Sequence, residues 1–250
     1  MVKVMNLDIG RESNIYLMGD FHCGTKNFAE EELYETVRII KKDRKAKVII
    51  MGDLIEAILP DDKRFDFLNI DTKYNTTERQ YHCIKRALLP IKEKVVAILE
   101  GNHDFTLKTK TGFDVPHILS HDLDAKYLGT QGLVKLSNKK SIFVTHGGGS
   151  STTMGGQINK LIKLINNFKT KPDIVAMGHV HALQVVNNAH LKDDFSVGID
   201  LLILTGSYYK TYKLGEENYA SRRNYAPLPI GFAVVNVKKD GSIIASTTIL

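Results

Sequence analysis

Residues 14–22 read NIYLMGDFH, a short apolar run that ends in a glycine and then in two side chains able to bind a metal. The near-continuous apolar character of residues 14–19 predicts a strand that is buried on both faces. On an extended chain, residues two apart point to the same side, so Asp20 and His22 can act on one ligand. This stretch therefore predicts a buried strand with a site at its carboxyl end.

The same arrangement recurs along the chain. Further strands are predicted at residues 47–52 (KVIIMG), 95–101 (VVAILEG), 141–145 (SIFVT), 173–178 (DIVAMG) and 201–206 (LLILTG). The first four of these lead into carboxylate, amide or imidazole side chains, which are Asp53, Asn102, His103, Asp104, His146, His179 and His181. Because sites in α/β folds assemble at the carboxyl ends of strands, we expect these side chains to meet.

Helical patterns lie between the strands. Residues 28–43, 76–89 and 156–168 carry apolar side chains at helical spacing. The last residues, 231–250, predict two strands around the turn KKDG at 238–241. This order predicts an α/β fold with helices covering packed sheets, and a single domain over the whole chain.

Three segments lack any periodicity of their own. Residues 57–75 and 207–229 are predicted to be lid or interface segments. The glycine-rich residues 147–156 could cradle a phosphate or act as a hinge. The aromatic and basic residues of 207–229 could stack bases, form a subunit interface or cover the fold. The substrate contacts predicted from these segments are Gly147, Tyr208 and Arg222.

Bulk composition narrows the class of protein. The formal net charge of +6 attracts anions, nucleic acid among them, although a solvated lysine-rich surface is the favoured explanation of so modest an excess. No apolar run approaches the roughly 20 residues of a membrane span, and the first residues do not resemble a signal peptide. Two cysteines, Cys23 and Cys83, do not indicate a disulfide framework, so we expect a reducing, cytoplasmic location.

Carboxylate and imidazole ligands without a thiolate favour Mn²⁺, Fe or Zn²⁺ over a structural thiolate zinc site. Seven oxygen and nitrogen ligands are too many for one ion but suit two ions that share a bridging carboxylate. Two such ions about 3.5–4 Å apart can activate water and stabilise an in-line displacement at phosphorus. The ligand pattern thus predicts a dinuclear phosphoryl-transfer site.

Taken together, the five segments from Asp20 to His181 resemble the calcineurin-like metallophosphoesterase superfamily, including phage and prokaryotic phosphoesterases. The resemblance implies a hydrolase of phosphate esters with a four-layer αββα sandwich, in which two mixed β-sheets are flanked by helices. The intact Gly-Asn-His-Asp at 101–104 distinguishes the chain from lipid A-type pyrophosphohydrolases, which usually carry Arg in place of His103.

The resemblance also implies roles for individual residues. The implied ligands are Asp20, His22 and His181 for one ion, Asn102, His146 and His179 for the other, and Asp53 as the bridge. His103 would protonate the leaving oxygen or stabilise phosphoryl charge, and Asp104 would orient His103. Glu56 stands where many relatives carry Asp and is expected outside the ligand set. Mn²⁺ is the expected ion, with Fe, Zn²⁺ and Ni²⁺ as alternatives.

The substrate is left open between several classes. A phosphodiesterase or nuclease-like enzyme acting on nucleic acid or a nucleotide is the leading interpretation. A phosphomonoesterase for a small molecule or phosphoprotein is the alternative, and a non-catalytic metal-binding scaffold comes third. An open basic groove would favour a polymer, whereas a pocket closed by residues 59–75 would favour a small substrate. The aromatic segment near the C-terminus also makes a homodimer a reasonable expectation.

Residues outside the motif series are given ordinary structural roles. His82, His117, His121 and His190 are interpreted as surface or partly buried side chains. Cys23 is next to His22 and could be a soft neighbour of the metals, but a packing role is favoured, and Cys83 is predicted to lie in the core.

Overall fold

The computed structural model describes residues 2–57, 59–62, 65–149, 151, 153–215, 217 and 219–250. Its strands are β1 (Lys3–Leu7), β2 (Ser13–Met18), β3 (Ala46–Ile50), β4 (Val95–Leu99), β5 (Lys126–Gly129), β6 (Gln131–Leu136), β7 (Ser141–Thr145), β8 (Ile174–Met177), β9 (Leu183–Leu191), β10 (Val197–Thr205), β11 (Gly231–Val237) and β12 (Ile243–Ile249). Its α-helices are α1 (Glu30–Lys42), α2 (Thr77–Leu88), α3 (Asn102–Thr111), α4 (Val115–Asp122), α5 (Met154–Asn166) and α6 (Tyr219–Arg222). Short 3₁₀ helices span Phe67–Asn69, Thr72–Tyr74 and Leu89–Lys94.

The strands form two mixed six-stranded sheets. One has the order β1-β6-β7-β8-β10-β9 and the other β12-β11-β2-β3-β4-β5. Strands β2, β3, β4 and β5 run parallel, as do β7, β8 and β10. Parallel neighbours end on the same side of a sheet, so each sheet collects several strand ends at one edge.

Apolar side chains fill three spaces between four layers. Ile49 of β3 and Ile203 of β10 belong to one fully buried cluster that draws on both sheets and lies between them. Leu33 of α1 and Ile84 of α2 pack on the outer face of the second sheet. Leu161 of α5 packs on the outer face of the first sheet. The fold is thus an αββα sandwich, and the fold class expected from the sequence is confirmed.

The sequence-based elements are found with shifted ends. The predicted strand 95–101 stops at Leu99, because Gly101 turns the chain into α3, which begins at Asn102. The predicted strand 201–206 is only the last part of β10, whose first residues alternate between exposed and buried positions. Helix α5 begins at Met154, where the Thr153 side chain caps it, two residues before the predicted start.

Within the described parts of the chain, no helix combines the length and apolar character that crossing a membrane requires.

Candidate metal centre

The candidate ligands meet where β2, β3, β4, β7 and β8 end. Each side chain offers one nitrogen or oxygen atom as a ligand, and these atoms form three overlapping groups. Within each group the ligand atoms lie no more than 4.8 Å from one another. These groups are Asp20 with His22 and His181, His22 with Asp53 and His103, and Asp53 with His146 and His179. Asn102 adjoins the third group, because its Oδ1 lies 3.1 Å from Nε2 of His146. The fold thus brings the sequence-predicted ligands together.

Five of these side chains sit on a strained backbone. Asp20, His22, Asp53, His179 and His181 all have φ between 49° and 66°, the left-handed region that residues with a Cβ rarely adopt. Each such residue costs of the order of 1–3 kcal/mol, and such strain persists only where surrounding contacts fix the conformation. The left-handed turn directs each side chain back from its strand end towards the common site.

Two glycines let the strand ends approach closely. At Gly101, a Cβ would lie 2.0 Å from Oδ1 of Asp53. At Gly52, where φ is +93°, a Cβ would lie 2.7 Å from the Gly101 nitrogen and 2.8 Å from Nδ1 of His146. A side chain at either position would therefore push apart the loops that carry the ligands.

The described hydrogen bonds of Asp104 go to backbone groups. Its carboxylate is fully buried and accepts hydrogen bonds from the backbone N–H of Gly101 at 3.0 Å and of Leu54 at 3.2 Å. Burial, followed by the charge of Asp53, raises the pKa of Asp104 to about 7. The expectation that Asp104 orients His103 finds no support in the hydrogen bonds described for Asp104, which join the backbone of two ligand-bearing loops.

The contact that orients His103 comes from Glu56. The Nδ1–H of His103 donates to the Glu56 carbonyl oxygen at 2.7 Å, and its backbone N–H donates to Oδ1 of Asp53 at 2.9 Å. The Glu56 carboxylate accepts from Nδ1 of His22 at 2.8 Å and lies 3.8 Å from Nδ1 of His103. Glu56 thus contacts two imidazoles from outside the ligand groups, where the sequence placed it.

The hydrogen bonds of the rings define which nitrogens face the site. Nδ1 of His146 donates to the Met51 carbonyl oxygen at 2.8 Å, as Nδ1 of His22 and His103 do to Glu56. Since a carbonyl oxygen can only accept, the proton is on Nδ1 in His103 and His146. Each Nε2 is then left to face the cluster, and this is how a metal-binding histidine is held.

Inside the cluster, nitrogen and oxygen atoms that can each accept a hydrogen bond lie close to one another. Nε2 of His22 lies 3.0 Å from Nε2 of His181, and Nε2 of His146 lies 3.3 Å from Oδ2 of Asp53. Lone pairs at these distances repel unless a proton or a cation lies between them. The donor set of imidazole, carboxylate and amide groups is one that first-row divalent metals accept. The residues present therefore fit a metal site.

The charges of the site favour a cation as well. Burial raises the pKa of Asp53, but the charges of His146 and His103 outweigh burial and hold that pKa well below 3.8. Burial lowers the pKa of His146, yet the neighbouring Asp53 raises it to about 10. Buried carboxylates that stay ionised draw positive charge into the site, and a divalent ion supplies it more directly than protons do.

A cavity of about 510 Å³ lies over this cluster. Its floor includes His22, Glu56, His103, His179 and His181. Its walls come mainly from the three segments without periodicity, through Phe65, Asp66, Asn69, Gly149, Ser151, Tyr209, Thr211, Ala220, Arg222, Tyr225, Ala226 and Leu228, and Gln157 of α5 and Val180 complete them. The sequence indicated these segments as a whole but did not single out Phe65, Asp66 or Asn69, and it did not indicate Gln157.

Of the predicted substrate contacts, only Arg222 lines the cavity. Tyr208 is fully buried, and its hydroxyl shares a hydrogen bond of 2.8 Å with the hydroxyl of Thr36, so its assignment as a substrate contact is wrong. The adjacent Tyr209 lines the cavity instead, with its ring 5.8 Å from those of His22 and His181.

Gly147 is exposed and follows the ligand loop, with φ at +91°. Among the described residues of this glycine-rich loop, Gly149 and Ser151 line the cavity, whereas Gly147 does not. The Gly149 carbonyl oxygen lies 3.2 Å from Nε2 of His179. The loop thus reaches the site two residues later than the sequence suggested.

The residues outside the motif series lie away from the described ligand groups. His82 is about 60% exposed, and His117 and His121 stack with each other on α4 with ring centres 4.8 Å apart. His190 lies 3.1 Å from Asp200 on the β9–β10 hairpin. Cys23 and Cys83 are free, buried thiols of the apolar cluster between the second sheet and its helices, as the favoured packing role implies.

Comparison with solved structures gives distant likenesses. A conserved uncharacterized protein of Streptococcus pneumoniae, described as a predicted phosphoesterase, shares 16% identity at a TM-score of 0.38, covering 96% of this chain and 98% of its own. The NAD nucleotidase of Haemophilus influenzae shares 11% identity at a TM-score of 0.45, covering 95% of this chain and 49% of its own. No curated protein matches the chain.

The family is shown by the sequence itself. The family model of calcineurin-like phosphoesterases matches residues 13–206, which contain all seven candidate ligands. This family is metal-dependent and acts on phosphate esters. The chain belongs to the calcineurin-like phosphoesterase family.

Proposed function

We propose that the chain hydrolyses phosphate esters of small molecules, diesters foremost, with two divalent ions held by the seven ligands. The observation that carries this proposal is the cavity over the ligand cluster, whose walls include described residues of the segments 57–75 and 207–229. A cavity of about 510 Å³ lies within the range of roughly 300–1,000 Å³ that encloses small ligands. By the criterion drawn from the sequence, a site covered in this way favours a small substrate over a polymer.

Charge supports the same choice. Among the described residues that line the cavity, Arg222 is the only lysine or arginine, and its Nη1 lies 3.0 Å from Oδ2 of Asp66. A nucleic-acid groove needs a row of cations along the phosphate backbone. The described part of the lining does not offer such a row of cations. A diester, which carries a single negative charge, also suits this lining better than a monoester with two.

The residues divide the chemistry between them. Bound metal ions supply Lewis-acid activation of the attacking water and of the phosphoryl oxygens. Asp53 belongs to two of the ligand groups, which supports the proposal that its carboxylate would be the ligand shared by two ions. His103 lines the cavity with its Nδ1–H bonded to the Glu56 carbonyl oxygen, so the imidazolium form of the ring, with a second proton on Nε2, can give that proton to the leaving oxygen and return to the neutral ring. Mn²⁺ is the proposed ion, because oxygen and nitrogen ligands suit it.

The test uses metal-stripped protein reconstituted with Mn²⁺. We expect hydrolysis of bis(p-nitrophenyl) phosphate, slower hydrolysis of p-nitrophenyl phosphate, and no cleavage of a single-stranded oligonucleotide. Hydrolysis should be lost in His103→Ala and kept in His82→Ala, a matched change at an exposed histidine. If none of these substrates were hydrolysed with Mn²⁺, Fe²⁺, Zn²⁺, Ni²⁺ or Mg²⁺, the proposal that the chain hydrolyses phosphate esters would be refuted. Preferential cleavage of the oligonucleotide would refute the proposal that its substrate is a small molecule.

A further inference from the structure

The cavity has two chemically different ends. One end is the floor of imidazoles and Glu56. The rest is lined largely by aromatic and aliphatic side chains, among them Phe65, Tyr209, Tyr225 and Leu228, all of them half-buried. An ester bound with its phosphate at the floor must direct one of its organic groups against these apolar walls. The metal site itself does not require such walls.

The aromatic side chains come from two segments that are far apart in sequence. Phe65 precedes Asp66, and Tyr225 follows Arg222 by three residues. The ion pair between Asp66 and Arg222 joins the two segments across 156 positions of the chain. This pair is partly exposed and contributes little energy on its own. The pair matters for the position of the two segments, because it holds together the parts of the chain that bring Phe65 and Tyr225 to the walls of one cavity.

Apart from the ion pair of Asp66 and Arg222, the polar side chains of the described wall residues are uncharged amides and hydroxyls. Gln157 donates from Nε2 to the Ser151 carbonyl oxygen at 3.0 Å, and its carboxamide borders the cavity. Asn69 and Thr211 border it as well. With Arg222 engaged by Asp66, the wall residues that the structure describes offer hydrogen bonds without a net charge. They therefore suit a neutral group with polar edges better than a second phosphate or a carboxylate.

From these features we propose that the walls bind a planar, uncharged ring on the alcohol side of the ester, stacked against Phe65 and Tyr225. This inference rests on the proposed function, since it names the substrate class of the same site. Aromatic side chains stack on planar rings with little regard to ring identity. Two sources share this chemistry, the nucleobase of a nucleotide and the ring of an aryl ester.

The experiment compares esters that differ only in the ring. Ribose 5-phosphate is paired with a nucleoside 5′-monophosphate, and phenyl phosphate with 2-naphthyl phosphate, each also as its methyl diester. We expect kcat/KM to be roughly ten-fold higher for the member of each pair with the larger ring system. A preference in the nucleoside pair alone assigns the nucleobase, and one in the naphthyl pair alone assigns the aryl ring.

Variants then place the preference on the walls. In Phe65→Ala, the ratio of kcat/KM between the two members of a pair should fall roughly ten-fold towards one, chiefly through KM. Phe67→Ala is the matched control, because Phe67 lies on the same segment but is 76% exposed and outside the cavity lining. It should leave the ratio and the rates unchanged.

The outcomes separate the two proposals. Failure to hydrolyse any of these esters, with or without the ring, would contradict the proposed function itself. Hydrolysis at equal kcat/KM with and without the larger ring would leave the phosphoesterase intact and overturn the ring site. A ring preference that survives in both Phe65→Ala and Tyr225→Ala would also overturn it, since the ring would then bind elsewhere.

Discussion

The floor and the walls of the cavity differ in how the chain builds them. The floor is made of strand ends, with five side chains on a left-handed backbone and two glycines packed against the ligand loops. The walls are irregular segments joined by a partly exposed ion pair. Because the floor is fixed by the sheets, changes there should affect catalysis, metal binding and stability. Changes in the walls should affect which ester is bound.

The largest expected effect is on the floor. Asp53→Asn removes the carboxylate shared by two ligand groups, and His103→Ala removes the proposed proton donor. Loss of a general acid lowers kcat by about 10²–10⁴-fold, and loss of the bridging charge should cost at least as much. Steady-state hydrolysis of bis(p-nitrophenyl) phosphate measures both. An activity within ten-fold of wild type in either variant would contradict the assigned roles.

The second largest effect is expected on metal affinity, from the contact of Glu56 with His22. Glu56→Gln keeps the shape of the side chain but removes the charge that holds Nδ1–H of His22 at 2.8 Å. Loss of such a contact typically weakens metal binding by about 10–100-fold. Calorimetric titration with Mn²⁺ measures this, and Glu35→Gln, at an exposed position of α1, is the control. Equal affinity in both variants would show that Glu56 does not position His22.

Asp104 should affect stability rather than chemistry. In Asp104→Ala the N–H groups of Gly101 and Leu54 lose their buried acceptor, and each unsatisfied group costs about 1–3 kcal/mol. Urea unfolding of the metal-free protein should show this loss in the free energy of unfolding. Asp61→Ala, at a carboxylate that is 69% exposed, should change it far less. Equal stability of the two variants would argue against a role in joining the loops.

The smallest expected effect lies in the walls. Arg222→Gln breaks the ion pair with Asp66, which is worth about 0.2–1 kcal/mol at an exposed position. We expect KM for small esters to rise about two- to five-fold while kcat stays near that of wild type. Arg223→Gln makes the same change of charge outside the cavity lining and should alter neither. A fall in kcat without a change in KM would instead indicate that Arg222 acts in catalysis, as the floor residues do.

The floor was readable from sequence because each ligand follows a buried apolar run. A strand that ends in Gly-Asp or Gly-His fixes both the element and the place of its side chain. The resemblance added which residues share an ion. Neither source predicted the part played by Asp104, since its hydrogen bonds join the loops after β3 and β4, whose approach depends on Gly52 and Gly101. Hydrogen bonds between two distant loops form only in the tertiary fold, so they leave no pattern in the local sequence.

The walls were harder to predict for a physical reason. Tyr208 and Tyr209 are neighbours, and their opposite burial follows from the isolated pairing of Ser207 with Ile230 and of Phe28 with Tyr209. Irregular segments have no period from which the buried side can be read. The ion pair of Asp66 with Arg222 is likewise visible only once the fold brings the two segments together. The sequence could indicate which segments cover the site, but not which of their residues face it.

The most direct test of the account is a titration of the metal-free protein with Mn²⁺. Bound ions per chain and hydrolysis of bis(p-nitrophenyl) phosphate are followed in the same samples, with Asp53→Asn alongside. We predict that wild type saturates at two ions per chain and gains activity as the second ion binds, whereas Asp53→Asn binds fewer ions and stays inactive. Saturation of wild type at a single ion, or full activity in the presence of a chelator, would contradict the dinuclear phosphoesterase.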